Sequence, residues 1–138
     1  DAVIRIRAIK AAATDRMAKS GDARVKQQGE RLIASLSDVE DDIYQVRNES
    51  GQDPLNFPIR INNRLANLLR IINSGDGKPI NNLPVLFQEY SRQLDVQTGR
   101  LQQVLARDLA AFNAELRRLG LPVITPQCQP GRTCNVIL

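Results

Sequence analysis

Apolar side chains recur along the chain at steps of three and four, and that spacing predicts helices throughout. The first predicted helix covers about residues 2–19, with Ile6, Ile9, Ala13 and Met17 on one face. Ser20-Gly21-Asp22 then stops and restarts the pattern: glycine suits the left-handed position after a helix, and Asp22 is a good N-cap. The second helix is expected over 23–48, on the stripe Val25, Gly29, Leu32, Leu36, Val39, Ile43 and Val46. Its unbroken alternation of four and three is a heptad seam. Gly29 on that seam implies close approach of a neighbouring helix.

The segment Glu49 to Pro54 breaks the periodicity. A third helix is expected over 58–73, with Pro58 in its first turn and Ile61, Leu65, Leu68 and Ile72 inward. Ser74-Gly75-Asp76-Gly77-Lys78-Pro79 is a second breaker. The fourth helix is the longest, about 83–119, on Phe87, Tyr90, Leu94, Thr98, Leu101, Leu105, Asp108 or Leu109, Phe112, Leu116 and Leu119. Gly120 and Pro122 end it. No useful length of chain alternates with period two. The expected fold is all-α: an antiparallel up-down-up-down four-helix bundle over residues 1–124, whose long fourth helix overhangs its partners. An irregular tail is expected over 125–138, where Pro126, Pro130 and Gly131 oppose helix.

The 138 residues suit one domain with its own core. No run reaches the ~18 apolar residues of a membrane-spanning helix. With Asp1 first, no initiator Met and no signal-peptide pattern, the chain is expected to be a piece of a longer or processed protein. Net charge is +4, unevenly spread. Residues 1–36 carry eight basic and four acidic side chains, and 37–49 carry one basic and five acidic. Mixed signs and a lack of aromatics make the basic segment a solvated face rather than a nucleic-acid surface.

Candidate chemistry is sparse. The absence of His removes the commonest general base, the Ser-His and Cys-His nucleophile systems and His-ligated zinc. Asp38, Glu40, Asp41 and Asp42 spread around a helix with no shaping Gly loop, so a solvated face is expected and no metal site. Asp108, beside the core stripe, is expected to pair with a neighbouring Arg. Ser74 to Lys78 lacks the spacing of a phosphate loop. Asn56, Asn62, Asn63, Asn67 and Asn73 are expected to cap termini or bond the backbone of the loop at 49–58. Cys128 and Cys134 flank the turn signal Pro130-Gly131. A disulfide-closed loop is the expectation there, with two reduced thiols the alternative. No catalytic, cofactor-binding or metal residue is assigned.

The string Asp53-Pro54-Leu55-Asn56-Phe57-Pro58-Ile59-Arg60-Ile61-Asn62-Asn63-Arg64-Leu65 resembles the C-terminal helical region of bacterial BNR-repeat, sortilin-like β-propeller proteins classed as glycosyl hydrolases. The likeness continues through Ser74–Pro79, Leu94–Gln97, Asp108–Asn113 and Leu119–Ile124, covering about residues 50–124. The resemblance implies an exported parent whose ligand site, if any, lies in the propeller. It implies structural roles for Asp53, Pro54, Asn56, Pro58, Asn62 and Asn63, and transfers no catalytic residue. The expected function is that of a non-catalytic C-terminal module, extracytoplasmic, that packs on the propeller, self-associates or binds a partner subunit. The alternatives are part of a glycosyl hydrolase whose active site lies in the propeller, or a standalone extracytoplasmic ligand-binding bundle.

Overall fold

A computed structural model describes residues 1–47, 57–74, 82–127 and 135–137. Asp53, Pro54, Asn56, Cys128 and Cys134 lie outside the described residues, and so does most of the Ser74–Pro79 turn. The protein is all-α. Its helices are α1 (Ala2–Ser20), α2 (Ala23–Ile43), α3 (Ile61–Asn73), α4 (Leu83–Val104) and α5 (Ala110–Arg118). A π-helical turn, Leu105–Leu109, joins α4 to α5, so the expected long fourth helix is present. The chain divides into two compact units, residues 1–39 with 100–138, and residues 40–99.

In the first unit, α1 ends on Gly21 at φ 62°, and Asp22 starts α2. Asp22 Oδ1 accepts from the backbone N–H groups of Arg24 at 2.9 Å and Val25 at 3.1 Å, the expected N-cap. The core is aliphatic around one aromatic ring. Ile6, Ile9, Val25, Leu32, Leu36, Leu116 and Phe112 are all fully buried. Each large side chain so buried contributes about 1.5–3 kcal/mol relative to exposure. Gly29 lies where α1, α2 and α5 meet. A Cβ there would stand 2.7 Å from Met17 Cγ and 3.0 Å from Phe112 Cε2, so any side chain at this position would force Met17 to move and press on the Phe112 ring.

Helix α5 ends in a Schellman motif. Gly120 has φ 69°, its N–H donates to the Arg117 carbonyl at 3.0 Å, and the Leu121 N–H donates to the Leu116 carbonyl at 2.9 Å. The chain beyond is held by two buried polar side chains. Arg16 Nε donates to the Pro122 carbonyl at 3.1 Å. Asn113 Nδ2 donates to the Ile124 carbonyl, and the Ile124 N–H donates to Asn113 Oδ1, both at 2.9 Å. The tail is not wholly irregular as expected. Strands β1 (Thr125–Gln127) and β2 (Asn135–Ile137) pair antiparallel, with Pro126 opposite Val136. A two-stranded ladder tolerates Pro126 because a strand with a free side need not donate every N–H. β2 lies alongside α1.

In the second unit, α2 ends at Ile43 and does not run on to Asn48. Gln45 explains the early stop. Its buried amide donates from Nε2 to the Pro58 carbonyl at 2.8 Å and accepts from the Arg47 N–H at 3.2 Å, giving the backbone a non-helical alternative. Val46, expected on the seam, is 41% exposed. Helix α3 begins at Ile61, so Pro58 precedes its N-cap, Arg60, and does not occupy the first turn. Ile61 and Leu68 are buried, but Ile72 is exposed. In α4 the inward phase runs through Leu83, Leu86, Tyr90, Leu94 and Gln97. Phe87 stands one residue off that phase, about 100° around the helix, and is 56% exposed, contrary to the expectation.

Candidate functional site

Of the motif residues expected to be structural, three are described. Pro58 is exposed and its carbonyl is fixed by Gln45. Asn62 is exposed and Asn63 half-buried. Gln45 bonds the described end of the loop, and Asn67 Oδ1 accepts locally from Arg70 Nη2 at 3.1 Å; the expected Asn bonds to residues 49–56 fall outside the described residues. Asn63 Oδ1 is buried without a hydrogen-bond partner. The periodicity offered no signal for Gln45, whose function depends on a carbonyl 13 residues away.

A cleft of about 330 Å³ opens within the second unit, between the end of α2, the start of α3 and α4. Arg60 and Arg64, one turn apart, bring two guanidinium groups to it, against one carboxylate among the described lining residues, Asp42. Gln93 and Gln97 line it from α4, and Ile59 and Val96 supply apolar wall. Arg64 lies over the Tyr90 ring, 5.7 Å from its centroid. Two polar atoms of the lining are buried without a partner: Arg60 Nε, a donor, and Gln97 Oε1, an acceptor. Arg60 is also the N-cap of α3, and its side chain makes no cap bond. The described lining residues contribute no hydroxyl or thiol nucleophile.

The acidic run is less uniform than expected. Asp38 is exposed and faces Arg100 at 3.7 Å, yet Glu40 is only 4% exposed, which corrects its assignment to a solvated face. Helix α2 passes from its outer to its inner face between those two residues, because they stand about 200° apart. Glu89 on α4 accepts from Gln93 Nε2 at 2.8 Å and pairs with Arg92, and the Gln93 bond leads in holding its carboxyl below the usual range. Thr98 Oγ1 donates to the Asp95 carbonyl at 3.0 Å, which satisfies the polar atom on the seam.

Asp108 is buried inside the π-helical turn, with its side chain 2% exposed. Arg107 Nε donates to Oδ1 at 2.8 Å and Arg107 Nη2 to Oδ2 at 3.1 Å, while Arg31 Nε stands 3.7 Å from Oδ1. The expected pairing with a neighbouring Arg is therefore present. The Arg107 bond dominates and holds the Asp108 carboxyl below its ordinary value; burial opposes it, and a bond from Ser35 assists. A cleft of about 220 Å³ adjoins this cluster, lined by Ser35, Asp38, Arg100 and Arg107 among others. π-turns recur at functional positions, but both Asp108 oxygens are occupied here by a forked guanidinium, which is a structural use.

Among the described residues, no group of three or more Asp, Glu, Cys or His side chains is placed to hold a metal ion. No described helix is long and apolar enough to cross a membrane. The chain matches no protein-family model, no curated protein and no solved structure.

Proposed function

We propose that this chain is a non-catalytic helical module that acts by docking, as the C-terminal part of an exported bacterial β-propeller protein, with the propeller as its partner. The observation that carries the docking is an imbalance between the two units. Of the ten large apolar side chains that are exposed among the described residues, eight lie in residues 40–99: Tyr44, Val46, Ile59, Leu69, Ile72, Val85, Phe87 and Val96. The described apolar residues that this unit buries are Ile43, Ile61, Leu68 and Leu83. Apolar surface left in water at this density favours association. The propeller as partner, and export to an extracytoplasmic compartment, rest on the resemblance carried by residues 53–65.

The test is light scattering and crosslinking of the chain, alone and with the separately produced region that precedes it in its parent. The docking reading expects a complex with that region, weakened when Val85 and Phe87 are both changed to Ser. A chain that stays monomeric and ignores the upstream region overturns it. A second reading, an extracytoplasmic ligand-binding module, is favoured by the cleft at Arg60. A third, completion of a glycosyl hydrolase site in the propeller, expects parent activity to fall on changing Asp53 or Asp76, which the docking reading does not.

A further inference from the structure

We propose that the cleft beside the start of α3 binds a carboxylate that carries an N–H donor and an apolar side chain, the chemistry shared by a polypeptide C-terminus and an N-acyl amino acid. Two orphaned polar atoms mark the cleft. A buried donor without an acceptor, or an acceptor without a donor, costs about 1–3 kcal/mol, so native structures seldom leave one. Here Arg60 Nε and Gln97 Oε1 are both buried and unpartnered, and their side chains line one cleft. The pair asks for a ligand that accepts at one end and donates at the other.

Charge narrows the acceptor. Two guanidinium groups, Arg60 and Arg64, outnumber the Asp42 carboxylate among the described lining residues, so an anion is favoured. A guanidinium offers parallel N–H bonds that match the two oxygens of a carboxylate. The start of α3, where the helix dipole is positive, lies at the same place. The donor that Gln97 Oε1 lacks is an amide N–H adjoining the carboxylate-bearing carbon. Ile59 and Val96, 41% and 62% exposed, give an apolar side chain a surface to cover. The volume, about 330 Å³, is at the small end of ligand cavities and suits one residue rather than a long segment. Binding here does not require the propeller, so it stands or falls apart from the proposed docking.

The experiment is an amide-resonance titration of the full chain with N-acetyl-leucine. Saturable shifts with a Kd of about 1 mM or tighter are expected, grouped on Arg60, Arg64, Gln97 and their neighbours. N-acetyl-leucinamide, which lacks the carboxylate, is expected to bind at least about tenfold more weakly. Arg60→Gln is expected to weaken N-acetyl-leucine by a similar factor while the far-ultraviolet dichroism stays helical. If that variant loses its helix signal, Gln97→Met and Arg64→Gln serve in its place. A short peptide ending in leucine separates the sources: tighter binding than N-acetyl-leucine assigns the site to chain termini, and weaker binding assigns it to the free acid. No saturation by about 20 mM, equal affinity for acid and amide, or unchanged binding in the folded variants overturns the proposal.

Discussion

The Asn113 side chain holds both backbone polar groups of Ile124, accepting from its N–H and donating to its carbonyl at 2.9 Å each. The two residues thereby imitate one rung of a β-ladder inside a helical unit. The bond anchors the tail where it leaves α5, and Ile124 is seated in the core beneath it, 2% exposed. Asn113→Ala strands two buried backbone groups. It is expected to lower stability by about 2–4 kcal/mol, measured by urea unfolding, with earlier loss of hydrogen-exchange protection at Ile124 than elsewhere. An effect below about 0.5 kcal/mol contradicts the clasp.

Gly29 presents two opposed effects. Alanine improves helix propensity by about 1 kcal/mol, but its Cβ would overlap Met17 and press on the Phe112 ring. Overpacking costs about 1–3 kcal/mol and is expected to win. Gly29→Ala should therefore destabilise. A double-mutant cycle with Met17→Ala should show favourable coupling of about 0.5 kcal/mol or more, because the second change removes the obstructing thioether. Additivity of the two changes excludes the steric account.

Asp22 combines two roles that substitution separates. Oδ1 caps α2, while Oδ2 accepts from Arg118 Nη2 at 2.8 Å across 96 residues of sequence. The Arg118 side chain is 41% exposed, and a partly solvated pair of this kind is worth less than the cap. Asp22→Ala is expected to cost about 1 kcal/mol, and Asp22→Ser, which keeps the cap and discards the charge, much less. Equal losses in the two variants, read from denaturant midpoints, would assign the effect to the ion pair instead.

Asp108 makes stability depend on pH. Its folded carboxyl titrates below 3.8, the ordinary value, because the fork from the adjacent Arg107 favours the charged form. A depressed folded pKa contributes stability that is present above the unfolded value and is lost as pH falls from there through the folded value. Asp108→Asn is therefore expected to be less stable than the parent at neutral pH. The gap should narrow as the pH drops below 3.8, followed by thermal unfolding across that window. A constant gap from neutral to acid pH would show that the Asn variant fails through packing alone.

The amount of this structure that is legible in sequence follows the range of the interaction responsible. The seam Val25, Leu32, Leu36, Val39 and Ile43 is buried as its spacing requires. Gly21, Asp22 and Gly120 punctuate the helices as their conformational preferences require. The cleft was not legible. Its members come from residues 42, 58–64 and 93–97, and no local motif relates an Arg at an N-cap to a Gln on another helix.

By itself, the sequence determined that the chain is helical, roughly where each helix starts and stops, and which broad stripe of each faces inward. Those properties arise from backbone preferences and periodicity within a few residues. Tertiary structure alone decided that Leu86 rather than Phe87 turns inward, that Glu40 is buried, that α2 stops short of Gln45, and that Asn113 holds Ile124. Each of these depends on what another segment brings to the same place: a carbonyl to satisfy, a charge to pair, or a surface to cover. A stripe wide enough for two adjacent residues leaves the choice between them to the partner that packs against it.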